Sequence, residues 1–137
     1  MIRLVENKDL GAVFELVNEF ATSFVPEEDA FRTSFAALSS AANTHFAVAE
    51  VQGSVVGYVL AFHHVTFYAN GRVAWVEELM VQPAQRKQGI GTALLSSVET
   101  WASGQNCKLI AVATRHAAQF YEAIGYQASA TYFRKLL

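Results

Sequence analysis

Residues 81–95 read Val-Gln-Pro-Ala-Gln-Arg-Lys-Gln-Gly-Ile-Gly-Thr-Ala-Leu-Leu, and they join an apolar strand to an apolar-striped helix. Pro83 ends the strand because it has no N–H to donate to a β-ladder. Gly89 and Gly91 then begin the helix, where glycine permits positive φ and a close approach to the backbone. The first helical turn also has unpaired N–H groups and the positive end of the helix dipole. The stretch therefore predicts an anion-binding turn suited to a phosphate or pyrophosphate.

Two common nucleotide-binding motifs fit this turn poorly. A Walker loop requires Gly-Lys-Ser/Thr, but Gly91 is followed by Thr92. A dinucleotide fingerprint requires a third glycine at the position that Leu94 occupies. A purely structural glycine turn also fits these residues, so the turn alone does not assign a ligand.

Two motifs together resemble those of the GNAT N-acetyltransferase superfamily. Arg86-x-x-Gly89-x-Gly91 is similar to the acetyl-CoA signature Gln/Arg-x-x-Gly-x-Gly/Ala of that family. Residues 117–126 read Ala-Ala-Gln-Phe-Tyr-Glu-Ala-Ile-Gly-Tyr, which resembles the downstream segment Ala-x-x-Phe/Leu-Tyr-x-x-x-Gly-Phe/Tyr. The order and separation of the two motifs imply that residues 1–137 form a single GNAT-like domain.

Composition limits the class of protein. A length of 137 residues is typical of one domain, and 53% hydrophobic with 16% charged residues excludes a disordered chain. Ten basic and twelve acidic residues give a formal charge of −2, so we expect no nucleic-acid partner and no membrane partner. Cys107 is the single cysteine, which excludes an internal disulfide. With no signal-peptide pattern at the N-terminus, we expect a cytoplasmic protein.

Hydrophobic periodicity predicts the order of elements. Strands are expected at residues 2–5, 44–51, 54–66, 72–81, 108–113 and 129–137, and the strand at 108–113 is expected to be buried on both faces. Helices are expected at residues 7–20, 26–38, 90–102 and 115–124. A hairpin meander before alternating helices and strands indicates a mixed sheet. With the resemblance, this predicts an α/β (α+β) fold, with a mixed, mostly antiparallel central sheet of six to seven strands flanked by four helices.

The resemblance implies where acetyl-CoA binds as cosubstrate. The pantetheine arm would pair with the backbone of the strand before the glycine turn, the turn would hold the pyrophosphate, and the later helix would contribute small and aromatic side chains. Carried onto this sequence, these residues are Leu79, Met80, Val81, Arg86, Lys87, Gln88, Gly89, Ile90, Gly91, Thr92, Thr114, Ala117 and Phe120. Many relatives carry an asparagine before the second motif, whereas this chain has Thr114 as a substitute hydrogen-bonding residue.

Amine acetylation requires removal of a proton from an ammonium group whose pKa is near 10.4. Glu77 and Glu78, midway along an apolar strand, are the candidate bases. Because neighbouring strand residues point to opposite faces, we expect only one of them to face the acceptor. We favour Glu77 because it is expected to share a face with Trp75 and Leu79, but the sequence does not decide between the two.

Tyr121 occupies the position of the family's general acid, the tyrosine that protonates the departing CoA sulfur. A helix tyrosine with a solvated hydroxyl is the alternative. His63 and His64 are considered as proton relays that reach the acceptor cleft, and His116 as an exposed residue at a helix start. The chain has no cluster of residues at metal-ligand spacing, so no metal site is expected.

These residues predict an N-acetyltransferase that moves acetyl from acetyl-CoA to a primary amine of a small molecule, or of a peptide, by direct attack in a ternary complex. The first alternative is a non-catalytic acyl-CoA-binding or regulatory module, and the second is an interaction domain whose glycine turn is structural. The exposed aromatics Phe24, Tyr68 and Tyr132 are compatible with a homodimer.

Overall fold

The computed structural model describes residues 1–137 as five β-strands and four α-helices. The strands are β1 (Ile2–Leu4), β2 (Thr44–Val51), β3 (Ser54–Thr66), β4 (Gly71–Val81) and β5 (Ile110–Val112). The helices are α1 (Leu10–Phe20), α2 (Glu28–Ser40), α3 (Ile90–Gly104) and α4 (Ala118–Ala123). None of these helices combines the length and the apolar composition that crossing a membrane requires.

The strands form one sheet in the order β1-β2-β3-β4-β5. The first three pairings are antiparallel and the β4–β5 pairing is parallel. The turn between β2 and β3 has positive φ at both Gln52 and Gly53, which is the backbone of a type I′ hairpin turn. The predicted class, a mixed and mostly antiparallel sheet flanked by four helices, is therefore confirmed.

Each face of the sheet is covered by two helices. On one face, α1 and α2 bury a cluster that includes Val13, Leu16, Phe35, Phe46, Tyr58 and Met80. On the other face, α3 and α4 bury Leu94, Leu95, Val98 and Tyr121 against small and branched strand residues. Leu94, Leu95 and Val98 are at most 1% exposed, and each such side chain contributes about 1.5–3 kcal/mol on burial. Burial of these α3 side chains against one face of the sheet therefore fixes α3 and its N-terminal turn against β4.

A salt-bridge network fixes β1 to the start of α1. The Arg3 guanidinium donates to both Asp9 carboxylate oxygens, at 2.8 and 2.9 Å, and to Glu50 Oε1 at 3.0 Å. The Glu6 backbone N–H also donates to Asp9, at 2.8 Å. These bonds, chiefly the one from Arg3, lower the pKa of Asp9 although its side chain is buried.

The number of strands differs from the prediction, with five in place of six to seven. Residues 129–137 alternate in polarity, but their backbone pairs with no strand and their side chains are exposed. Side-chain contacts hold this tail instead: Tyr132 stacks on Trp75 at 6.4 Å, and Arg134 donates to Ser23 Oγ at 3.0 Å. Alternation predicts a strand only where a partner edge exists, and β5, with three residues, offers a short one.

Two other elements are shorter than the sequence predicted. β5 covers Ile110–Val112 and is half-buried on both sides, not fully buried, because it is the edge strand of the sheet. α4 begins at Ala118, not at Arg115, because residues 113–117 form a bend in which Thr114 Oγ1 accepts the Ala117 N–H at 3.0 Å.

Candidate active site

The glycine turn before α3 presents a run of free backbone donors. None of the N–H groups of residues 87–92 donates to another group of the chain; the first bond of the helix runs from Ala93 N–H to Gly89 O at 3.0 Å. Gly89 adopts the left-handed conformation, with φ 83°, and a Cβ at this position would meet no atom within 4 Å. The turn is thus an open concavity of N–H groups at the positive end of the 15-residue helix α3, as anion binding requires.

The two cations of the turn have different environments. Arg86 Nε donates to Val81 O at 3.0 Å and Nη2 contacts Met80 Sδ at 3.7 Å, so the guanidinium fastens the turn to the end of β4. Lys87 is exposed, makes no ion pair, and has a positive φ of 64°. Lys87 therefore adds an unpaired positive charge beside the free N–H groups, while Arg86 holds their backbone in place.

β4 leaves its neighbour just before this turn. Its parallel pairing with β5 ends at Val76 and Val112, so residues 77–81 of β4 have no β5 partner. Leu79 and Val81 pack against the α3 cluster, whereas Met80 belongs to the α1–α2 cluster. The unpaired backbone edge of residues 77–81 leads directly into the glycine turn and can accept an extended ligand by main-chain hydrogen bonding.

A β-bulge at Glu77 sets the directions of the two candidate carboxylates. Leu60 of β3 is opposite Glu78 and the next residue, Ala61, is opposite Val76, so Glu77 is the extra residue. Val76 and Leu79 both pack against α3, and the two positions between them are therefore both on the α1–α2 face. The expectation that Glu77 and Glu78 face opposite sides is wrong, because the bulge interrupts the alternation on which it depended.

The prediction that Glu77 shares a face with Leu79 is also wrong, because Leu79 packs on the α3 side of the sheet. Glu77 lies on the same face as Trp75, and its Oε2 accepts the Trp75 Nε1–H at 2.7 Å. The Glu77 side chain is exposed, whereas Glu78 is half-buried. The two carboxylates are thus close in space but differ in solvation.

Glu78 is held by a tyrosine from the neighbouring strand. Tyr58 Oη donates to Glu78 Oε1 at 2.6 Å, and Tyr58 is 1% exposed. Burial raises the pKa of Glu78, the nearby Glu77 charge raises it further, and the Tyr58 hydrogen bond lowers it. Burial and the Glu78 carboxylate raise the pKa of Tyr58, so the tyrosine hydroxyl stays protonated and remains a donor.

Glu78 and Tyr58 lie at the floor of a cavity of about 480 Å³, which we call the α1–α2 cavity. Ten of its fourteen lining residues are hydrophobic, and most of them come from α1, α2 and the sheet. Among them are Val13, Val17, Phe31, Phe35, Leu38 and Phe46. Val25, Pro26 and Glu27 from the α1–α2 connection complete the lining. A pocket of this size with few polar groups has the character of a small-molecule site.

Tyr121 lies on the α3 side of the sheet. It is 8% exposed, its ring contacts Phe120 at 5.0 Å and Tyr126 at 5.6 Å, and its hydroxyl makes no hydrogen bond within the chain. Burial raises its pKa. The Phe120 ring lies 3.5 Å from the position of a Cβ on Gly91, so α4 packs directly against the glycine turn. Ala117 is half-buried and packs against the apolar cluster that α3 and α4 form on this face of the sheet.

The histidines lie away from the α1–α2 cavity. His63 stacks on Trp101 of α3 at 5.3 Å, on the opposite face of the sheet, and His64 is exposed. Neither residue lines the α1–α2 cavity, so neither is placed to relay a proton there. His116 is exposed, as expected for a residue before a helix. No group of three or more His, Cys, Asp or Glu side chains is placed to hold a metal ion.

Sequence reasoning missed Tyr58, the residue that holds Glu78. The sequence did show a tyrosine inside an apolar strand, and a buried tyrosine requires a hydrogen-bond partner for its hydroxyl. That partner is fixed by the β3–β4 register, in which Tyr58 is opposite Met80 and Glu78 is opposite Leu60. The register between two strands is not encoded in the local periodicity of either one.

Comparison with known proteins agrees with this geometry. The family model of the acetyltransferase (GNAT) family matches residues 10–126. An aminoalkylphosphonate N-acetyltransferase from Salmonella typhimurium is 30% identical over 99% of this chain and 90% of its own length. A thialysine N-epsilon-acetyltransferase from Bos taurus is 29% identical over 93% of this chain and 84% of its own.

Among solved structures, a transcriptional regulator from Bacillus halodurans C-125 superimposes with a TM-score of 0.89 at 22% identity, over 100% of this chain and 99% of the other. That similarity supports the fold alone. The family model covers most of the chain, and both signature segments lie within it. The chain therefore belongs to the GNAT family of acetyltransferases.

Proposed function

We propose that this chain is an acetyl-CoA-dependent N-acetyltransferase that acetylates a primary amine by direct attack in a ternary complex. One observation carries the proposal: the free N–H groups of residues 87–92 adjoin the unpaired edge of β4, and that edge leads to Glu78 at the floor of a cavity. A half-buried carboxylate, an extended backbone edge and an anion-binding turn thus follow one another along β4 and the turn after it.

The residues fit the cosubstrate. The N–H groups from Gln88 to Thr92, with Lys87, would hold the pyrophosphate, and charge-assisted bonds of this kind are worth about 1.5–3 kcal/mol each. The backbone of Leu79, Met80 and Val81 would pair with the pantetheine arm. Gly91 and Ala117 allow close approach, Phe120 packs beside the turn, and Thr114 has a hydroxyl proton left to donate.

Acetyl-CoA supplies, when bound, a thioester carbonyl to which the amine nitrogen forms a C–N bond as the C–S bond breaks. Glu78 is the base in this proposal, because it lines the cavity and Glu77 does not. Burial raises the pKa of Glu78 toward that of the amine, which makes the carboxylate a better proton acceptor. Tyr58 fixes the carboxylate by donating to Oε1 and leaves Oε2 for the amine. Glu77 is exposed beside Glu78, and its negative charge raises the pKa of the Glu78 carboxyl further.

Tyr121 is proposed as the acid that protonates the departing sulfur. Its pKa is raised by burial, so it is fully protonated at neutral pH, and its hydroxyl has no other partner. It lies across the sheet from Glu78, which is consistent with separate sites for removing and supplying a proton.

The relatives support an amine acceptor in general. The proteins from Salmonella typhimurium and Bos taurus are both named as N-acetyltransferases, one of aminoalkylphosphonate and one of thialysine. A non-catalytic acyl-CoA-binding module would retain the glycine turn but would have no need for a half-buried carboxylate bonded to a tyrosine in a cavity. The Tyr58–Glu78 pair therefore favours the enzyme.

The test is thiol release from acetyl-CoA in the presence of a panel of primary amines, with acetylated products identified by mass spectrometry. We expect amine-dependent release that falls by about 100-fold in Tyr121→Phe, the range of general acid catalysis. Tyr126→Phe is the matched control, since Tyr126 Oη instead donates to Glu99 at 3.0 Å. Acetyl-CoA binding without turnover of any amine would support the binding module, and absence of binding would exclude both functions.

A further inference from the structure

Phenylalanine rings that contact one another form much of the wall of the α1–α2 cavity. Phe31 lies 5.0 Å from Phe14 and 5.7 Å from Phe35, and Phe35 lies 5.4 Å from Phe46, measured between ring centroids. Phe31, Phe35 and Phe46 line the cavity together with Leu38 and Leu60. Such walls bind a ligand through apolar and edge-to-face aromatic contacts, not through hydrogen bonds.

The two charged residues that line this cavity are both acidic. Glu78 lies at the floor and Glu27 at the rim, and no lysine, arginine or histidine is among the lining residues. Arg32, on the same helix as much of the wall, points elsewhere and pairs with Glu28 at 3.0 Å. A cationic ammonium group is therefore attracted into the cavity, whereas a phosphonate or carboxylate would be desolvated beside anions with no cation to pair with.

We propose that the acceptor is a primary amine on an apolar body, aromatic or branched alkyl, that carries no anionic substituent. This inference rests on the proposed function and assigns the α1–α2 cavity as the site of the acceptor. The ammonium group binds Glu78 Oε2 and the apolar body packs among the phenylalanine rings. The chain thus differs in acceptor class from the relative named for aminoalkylphosphonate, although the two are 30% identical.

The first experiment compares four amines by kcat/KM with acetyl-CoA held constant. 2-Phenylethylamine and L-phenylalanine share an aromatic body, but only the latter has a carboxylate; 2-aminoethylphosphonate has an anion and no apolar body, and ethanolamine has neither. We expect 2-phenylethylamine to exceed both anionic amines by about 100-fold or more, the scale of a charge left unpaired in a binding site. It should exceed ethanolamine by at least about tenfold through apolar burial.

A pair of variants tests the charge argument without changing Glu78 or Tyr58. Ser34 lies in the cavity lining and is exposed, while Ala37 is exposed on the same helix and does not line the cavity. Ser34→Arg should raise kcat/KM for L-phenylalanine relative to 2-phenylethylamine by about tenfold, because it adds a partner for the carboxylate. Ala37→Arg adds the same charge and should leave the ratio unchanged.

Binding is measured separately by titration calorimetry with each amine alone. Tighter binding of 2-phenylethylamine than of 2-aminoethylphosphonate supports the α1–α2 cavity as a site for apolar amines. A failure of acetyl-CoA to bind would overturn the proposed function, and with it the acceptor role, but not this ligand class. Equal or tighter binding of 2-aminoethylphosphonate, faster acetylation of either anionic amine, or an equal effect of Ser34→Arg and Ala37→Arg would overturn the inference and leave acetyl transfer itself standing.

Discussion

Tyr58 Oη lies 2.6 Å from Glu78 Oε1 and links the central strands β3 and β4 at the floor of the α1–α2 cavity. The two residues are diagonal neighbours across the β3–β4 register: Tyr58 is opposite Met80, and Glu78, two residues before Met80, lies on the same face of β4. A hydroxyl bonded to one oxygen fixes the rotamer of the carboxylate. The second oxygen is then oriented toward a ligand, which is the positioning that proton transfer requires.

Replacing each glutamate of the pair by glutamine separates the base from its neighbour. Glu78→Gln should lower kcat by about 100-fold or more, the usual contribution of a general base. Glu77→Gln removes the same charge one residue away, at an exposed position, and should lower kcat by less than about fivefold. Steady-state kinetics with one amine decides between them, and equal losses in both variants would contradict the assignment of Glu78.

The pH profile should shift in opposite directions in two variants. The Glu77 charge raises the pKa of Glu78, so Glu77→Gln should move the acidic limb of the kcat profile to lower pH. The Tyr58 hydrogen bond lowers the pKa of Glu78, so Tyr58→Phe should move that limb to higher pH. The check is kcat measured from pH 5 to 9, about the range over which such carboxylates titrate. Shifts in the same direction would show that Glu78 does not set the limb.

Asp9 is predicted to stabilise the fold through its pairing with Arg3. Its pKa is lowered in the folded state, so the stabilisation is present above the unfolded value near 3.9 and is lost as pH falls through the folded value. Asp9→Asn should lower the free energy of unfolding at pH 7 by about 3 kcal/mol, since it leaves Arg3 short of its main partner. Urea denaturation from pH 7 to 3 tests this, with the unpaired, exposed Asp29→Asn as control.

Gly57 is predicted to tolerate no side chain. A Cβ at this position would lie 2.8 Å from Met80 O and 3.3 Å from both Leu94 Cδ1 and Val81 Cγ2. Gly57→Ala should therefore lower the free energy of unfolding by about 1–3 kcal/mol through overpacking. The matched control, Gly11→Ala in α1, meets no atom within 4 Å and should instead raise it by about 0.5–1 kcal/mol. Urea denaturation measures both, and equal changes would exclude the close packing as the cause.

Local signals predicted much of this fold. Gln52-Gly53 marks a hairpin, Pro83 and Gly89 mark the junction between β4 and α3, and each conformation is set within a few residues. The binding role of the glycine turn stays a prediction, whereas the positions of the two turns are confirmed. The predictions of position succeed because the backbone there depends on φ restrictions of single residues, not on distant partners.

Non-local features were missed for a common physical reason. The bulge at Glu77 exists only relative to β3, so alternation placed Glu77 and Glu78 on opposite faces. The Tyr58–Glu78 bond depends on the same register, and the tail at 129–137 lacks the partner edge that its alternation presupposes. The residue pattern of a segment shows whether it can form a strand. Which residues it pairs with depends on the neighbouring strands of the assembled sheet.

The central claim, that the turn at Gly89 binds the pyrophosphate of acetyl-CoA, is tested most directly by titration calorimetry with acetyl-CoA. The wild-type chain should bind one equivalent, and Lys87→Glu should weaken binding by at least about tenfold, because it reverses an unpaired charge beside the free N–H groups. Lys135→Glu, the same change in the exposed tail, should leave affinity unaltered. An absence of binding to the wild-type chain, or equal affinities in all three proteins, would contradict the account.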